Sequence, residues 1–236
     1  MKLHQPGKLA ALLALSLLFN GCAATKTSNV SMNSSSKLPK PTQILIQDFT
    51  IDSNAVKGSS SPLAKLENLA DSQHEEAAKK ELIQDANDAL FDQLSSQLTE
   101  MGFRVVKAQP GQIPKQGEAM ISGQFTSIDE GNAVRRALVG FGAGQSSVDA
   151  TARVVSANQT EILSLQTHAD SGETPGAAVT AGVGAAAQVG ATATAATSVA
   201  RGGAKAYKSA ISTQASDIAE KIGDEFGKLA KSEGWV

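Results

Sequence analysis

PTQILIQDFTI, residues 41–51, alternates apolar with polar side chains and is rich in β-branched residues, so it reads as a strand with Ile44, Ile46 and Phe49 turned inward. Its two flanking prolines, Pro39 and Pro41, place a boundary just before it. Downstream, after a Ser- and Gly-rich loop over residues 52–62, the period changes. From Leu63 to Met101, Leu82, Ala86, Leu90, Leu94 and Leu98 recur at helical steps, and Gly102 suits a helix stop. Residues 103–107 (FRVVK) and 119–128 (AMISGQFTSI) then read as strands, with Gly123 marking a bulge or a close approach. Two more strands come next, over residues 146–155 and 161–170, bent at Asn158-Gln159. Residues 205–232 form an amphipathic helix with Ile211, Ala215, Ile218, Ile222, Phe226 and Leu229 on one stripe. Strand, long helix, several strands, helix is the order of an α+β domain. The expectation is a mostly antiparallel sheet of four to five strands with helices packed on one face.

Upstream of that domain, LLALSLLFNGC, residues 12–22, is an apolar run behind Lys2 and Lys8 that closes on Gly21-Cys22. A charged start, a short apolar core and a small residue before the cut describe a secretory signal peptide. The run falls short of the ~20 residues a membrane-crossing helix requires. Cys22 is the sole cysteine. A cysteine at this place resembles the signal of bacterial lipoproteins, which implies a diacylglycerol on the thiol and anchoring by several acyl chains. Leu18, Phe19, Asn20 and Gly21 fit the family pattern well at Gly21 and less well at Phe19 and Asn20. The plainer alternative is an ordinary signal with an incidental cysteine. Ala23 in place of Asp implies, through the same resemblance, sorting to the outer membrane with the domain facing the periplasm. The polar residues 23–40 read as a tether, whose eighteen residues would hold the domain roughly 20–25 Å from the membrane. The resulting division is a signal over 1–21, an anchored tether over 22–40, a domain over 41–170, an Ala/Gly-rich segment over 171–203 and a terminal helix over 204–236.

A formal charge of −2 gives no dense basic face and argues against a general nucleic-acid binder. One cysteine excludes an intrachain disulfide. With aromatics at 4%, the core must rest on Ile, Leu, Val and Ala. His74 and His168 lack a second histidine at ligand spacing, and His168 reads most simply as a surface residue.

Residues 129–148 carry the most distinctive pattern: Asp129, Gly131-Asn132, the pair Arg135-Arg136, then Gly140-Phe141-Gly142-Ala143-Gly144. Glycines in such a run invite a phosphate-loop reading, which needs a helix opening directly after the loop. Residues 146–155 instead alternate like a strand, so backbone permissiveness is the better account. Arg135 and Arg136 suit pairing with Glu130 or Asp149, or an acidic partner. Together with the flanking strands, residues 42–170 resemble a bacterial lipoprotein family known as domain of unknown function 4410. The resemblance implies a lipoprotein without an assigned activity. The strand ending in Val154-Val155, the polar turn and Glu161-Ile162-Leu163-Ser164 are also similar, more distantly, to the periplasmic domain of the curli secretion lipoprotein.

Residues 175–200 are uncharged and hold a small-xxx-small series, Ala178, Gly182, Ala186, Gly190, Thr194 and Ser198. Such a stretch is either a low-complexity insertion or a membrane-contacting segment that works in an oligomer. Three function classes are open, the last and least supported by the residues being an envelope enzyme. The first is a membrane-anchored, non-enzymatic envelope lipoprotein that acts through contacts with other envelope proteins or with itself. The second is an oligomeric outer-membrane pore or secretion-channel component that uses residues 175–200. No catalytic set, cofactor site, metal site or small-molecule substrate is indicated by spacing.

Overall fold

The computed structural model describes residues 25–33, 37–51, 53–57, 72–131, 144–172 and 192–236. Its strands are β1 (Thr25–Met32), β2 (Gln43–Ile46), β3 (Thr50–Ile51), β4 (Val56–Lys57), β5 (Val105–Lys107), β6 (Glu118–Asp129), β7 (Ser147–Ser156) and β8 (Glu161–Asp170). Among the described residues the α-helices are α1 (Ser72–Glu100) after β4 and α2 (Thr192–Glu233) after β8, with a short 3-10 turn over Ser53–Ala55.

The α+β class stands, but the sheet is larger and more mixed than the sequence indicated. It has eight strands in the order β1-β8-β7-β6-β2-β5, with β3 and β4 also laid along β6. One flank, β6-β7-β8-β1, is antiparallel. On the other, β2 runs parallel to both β5 and β6. The cause is the long helix. A β2-α1-β5 connection crosses over the sheet, so β5 returns in the direction of β2. The stretch 41–51 is also not one strand. β2, β3 and β4 are three short pieces of a single path along β6, with Ile46 opposite Ile121, Thr50 opposite Gln124 and Val56 opposite Ile128. At the first break the Asn87 side chain on α1 accepts from Phe49 N at 2.7 Å and donates to Phe49 O at 3.2 Å. Those backbone groups are thereby satisfied without a ladder partner.

Both helices cover one face. Leu82, Ala86, Leu90, Leu94 and Leu98 of α1, with Ile211, Ile218, Ile222, Phe226 and Leu229 of α2, bury against Ile44, Ile121, Phe125, Val148, Val154, Leu163 and Leu165 of the sheet. The helices run parallel, with Ser216 bonding back to Ala89 and Gln97 donating to Asp224. A Cβ on Gly223 would lie 2.0 Å from Gln97 Oε1, and one on Gly227 would lie 3.3 Å from Met101 Cε. These glycines therefore set how closely the helices approach. Gly123 similarly makes room on β6, where a Cβ would stand 2.3 Å from the Phe49 ring. It marks the close approach, not a bulge.

Two further differences matter. Residues 25–32, expected as tether, form β1 on the outer edge of β8, with Thr25 opposite Ala169 and Met32 opposite Leu163. Without β1 the edge of β8 would be unpaired. Asn29 sits at φ 51° where the register shifts, and this bulge twists the new edge. Second, α2 begins at Thr192 and runs through Arg201-Gly202-Gly203, where a segment boundary was expected. At the C-terminus Trp235, which the sequence left free either to dock or to stay exposed, docks. It packs near Phe103 and Phe226, and its indole N–H donates to Leu38 O at 2.9 Å. Among the described residues, no helix is long and apolar enough to cross a membrane.

Candidate functional site

The two described ends of the Gly-rich stretch meet at one end of the sheet. Asp129 Oδ1 accepts the Gly131 N–H at 2.7 Å, so a short Asx-type turn closes β6. Gly131 takes φ +69°, and a Cβ there would lie 2.2 Å from Gln145 O and 2.5 Å from Gly144 O. The chain thus departs after Gly131 and returns at Gly144 (φ +78°) with backbone against backbone. Next to this closure Ser146 is fully buried, and Gln214 of α2 donates its amide to Ser146 O and reaches Ser146 Oγ, both at 2.9 Å. Ser171 N donates to Ser146 O, while Ser146 N donates to Ser171 Oγ. At the same end Asp170 Oδ1 accepts from Gly172 N. Three chain ends are therefore stapled together by short polar side chains.

The face of the sheet away from the helices carries a small apolar cluster of Leu45, Ala108 and Met120 with Val155, and beside it a polar region. Gln47, Asp48, Gln124, Arg153, Glu161 and Gln166 border an open groove of about 590 Å³, and Arg153 Nε donates to Ser122 Oγ at 3.3 Å. On the same face His168 Nδ1 lies 2.7 Å from Asp149 Oδ1 and Nε2 lies 3.6 Å from Asp170 Oδ2. At the β2-β5 border Lys107 Nζ stands 2.9 Å from Asp48 Oδ1 and 3.3 Å from Asp88 Oδ1. Its pKa is raised, chiefly by the Asp48 hydrogen bond. On α2, partial burial pushes the Asp217 carboxyl up, with the Glu220 charge adding to the effect. Amides, hydroxyls and one guanidinium facing solvent can form hydrogen bonds with a partner. They do not assemble a nucleophile beside a base. Among the described residues no group of three or more His, Cys, Asp and Glu is placed to hold a metal ion.

A family model described as "Domain of unknown function (DUF4410)" matches residues 44–188. The chain belongs to the DUF4410 family. The match begins inside β2 and runs past β8 into the Ala/Gly-rich segment, further than residues 42–170 alone. No curated protein matches the chain. Among solved structures, a PelC dodecamer from Paraburkholderia phytofirmans is similar at 13% identity and TM-score 0.32, covering 62% of this chain and 83% of that one. A variant PelC dodecamer from the same organism gives 12% identity and TM-score 0.33, covering 81% and 95%. Likeness at that level carries no weight for function.

Of the DUF4410 residues singled out from sequence, Asp129, Gly131 and Gly144 are brought together as the stem of the Gly-rich stretch. Asn132, Arg135, Arg136, Gly140, Phe141 and Gly142 lie outside the described residues, as does Cys22. Of the acidic groups suggested for the arginines, Asp149 is engaged by His168, which is therefore not the companionless surface residue it resembled. Sequence reasoning missed Ser146 and Gln214 altogether. Gln214 falls within the apolar stripe of α2, between Ile211 and Ala215, and a polar residue on that stripe was the available signal.

Proposed function

We propose that this DUF4410 protein is a lipid-anchored component of the bacterial cell envelope, held at the outer membrane through Cys22 and facing the periplasm. It acts without catalysis, through protein contacts in envelope assembly, secretion or maintenance. The observation that carries the reading is the apolar run closing on the sole cysteine, LLALSLLFNGC. The shape of the domain supports it. Helices shield one sheet face, while the other offers, beside the small Leu45-Ala108-Met120 cluster, a polar groove of Gln, Asn, Ser, Thr and Arg side chains. Such a surface suits recognition of another folded chain more than turnover of a small molecule, for which enclosed pockets with convergent groups are the rule.

Two measurements test this. Intact mass of the chain from membranes is expected to show a diacylglyceryl-modified Cys22 as the first residue. Cross-linking from a photoreactive residue at Gln124 or Gln166 is expected to capture a defined envelope protein or a second copy. An unmodified, freely soluble chain removes the anchoring. A modified chain that captures nothing from the groove removes the contact surface.

A further inference from the structure

The register of β1 fixes which part of the domain lies nearest to Cys22. Thr25 is opposite Ala169, Ala169 opposite Val148, Val148 opposite Ile128 and Ile128 opposite Val56. These five residues form one row across the sheet at the end where Gly131, Gly144 and Gly172 lie. From there β1 runs toward the opposite end, where Asn33 N bonds to Ile162 O and Leu38 meets the C-terminus. Cys22 stands three residues before Thr25, a reach of at most about 11 Å even when fully extended. The ten residues of β7 span roughly 34 Å, so no tether of that length brings the opposite end to the anchor.

The helices point the same way. α2 touches Ser146 at Gln214 and ends beside Leu38 at Trp235, so it travels from the near end to the far end. Ile211, one turn before Gln214, still packs in the core, and residues 192–210 ahead of it, about 28 Å of helix at 1.5 Å per residue, lie on the near-end side, where an end-on domain lays them against the lipid.

We infer that the domain stands end-on against the bilayer, with the end of the sheet that carries Gly131, Gly144 and Gly172, beside the largely buried row from Thr25 to Val56, turned toward the lipid surface. The β7-β8 turn and the Leu38-Trp235 contact point away from it. The inference rests on the proposed anchoring at Cys22. It replaces a domain swinging on an eighteen-residue tether with one held within a few residues of the membrane. The open polar groove then stands upright, accessible from the side to a neighbour in the same membrane.

Because acylation consumes the sole cysteine thiol, one introduced cysteine gives a unique label. The lipidated chain carrying Lys57→Cys or Asn158→Cys, both exposed, is reconstituted into phosphatidylethanolamine/phosphatidylglycerol vesicles. Energy transfer from the label to a headgroup acceptor is then measured, with Lys26→Cys as a second near-end position. The expected result is several-fold stronger transfer at positions 57 and 26 than at 158. Inserting twelve Gly/Ser residues between Ala24 and Thr25 should lower the near-end signal and erase the contrast. Equal transfer at 57 and 158 overturns the inference. So does strong transfer at 26 and 158 with weak transfer at 57, which means the domain lies on its β1 edge. Intact mass is read first on every sample. Absence of lipid on the parent chain counts against the anchoring itself, whereas a lipidated chain with no contrast counts against end-on seating alone.

Discussion

The two ends of the sheet are held by different physics. At the far end Phe103, Phe226 and Trp235 pack with ring centroids 5.4 to 6.3 Å apart, and Lys40 sits over the Phe103 face. Both backbone groups of Leu38 are taken up by the C-terminal residues, its N–H by Glu233 Oε2 at 2.7 Å and its carbonyl by Trp235. The near end has no ring cluster among its described residues. Its closure depends on Gly131 bringing backbone against backbone and on the Ser146-Gln214-Ser171 hydrogen bonds. Both ends bury apolar side chains, Ile128, Val148 and Ala169 at the near end among them, but the far end adds a ring cluster whereas the near end adds close backbone contact and side-chain hydrogen bonds. An end built the second way can let long stretches of chain leave and return without spoiling a core.

That contrast is open to attack by substitution. The largest effect belongs to the far end: Phe226→Ala removes a fully buried ring and should cost about 3–5 kcal/mol, read as a lower urea midpoint. Gly131→Ala comes next, because a Cβ must enter a left-handed backbone site already crowded by Gln145 O. About 1–3 kcal/mol is expected, with the local loss visible as faster amide exchange at Ser146 and Ser147. Equal exchange in the variant and parent would show that the near end does not depend on Gly131. Trp235→Phe sharpens the comparison by keeping a ring but deleting the N–H bond to Leu38. About 1 kcal/mol should be lost, and a loss as large as for Phe226→Ala would mean that the bond, not the packing, holds that end. The smallest effect is at Lys107. Its ammonium is half-exposed between Asp48 and Asp88, so Lys107→Ala should cost about 0.2–1 kcal/mol, screened by salt. The raised pKa sets the sign: this contribution is fully present below the unfolded-state lysine pKa. It is lost as pH rises through the higher folded value, so the variant and parent should converge at strongly alkaline pH.

Local periodicity shows up faithfully in this chain and pairing does not. Leu82 through Leu98, the alternation of Ala119 to Ile128 and the stripe Ile211 to Leu229 lie buried in the places their spacing indicates. The direction of β2 relative to β6 is not written in its own residues, since it depends on how α1 crosses over. β1 carries no apolar alternation because none of its eight residues is buried on either face and its outer edge is free, so TKTSNVSM reads as tether. Gly123 was legible as a special position, but only the structure shows that the Phe49 ring is what occupies the space. For the site, Asp129 and Gly131 stood out within the distinctive pattern of residues 129–148. The bond from Gln214 to nearby Ser146 did not, because it joins residues 68 apart in sequence, and no local pattern records it.

The first strand of the chain finds its partner last. Met32 must wait for Leu163, so during synthesis β1 stays single until almost the whole sheet has been made. A greasy sequence in that position would offer a sticky ribbon to every neighbouring nascent chain. The threonines, serines, lysine and asparagine of β1 keep that ribbon wetted through the delay, at the expense of a weaker edge once β8 arrives.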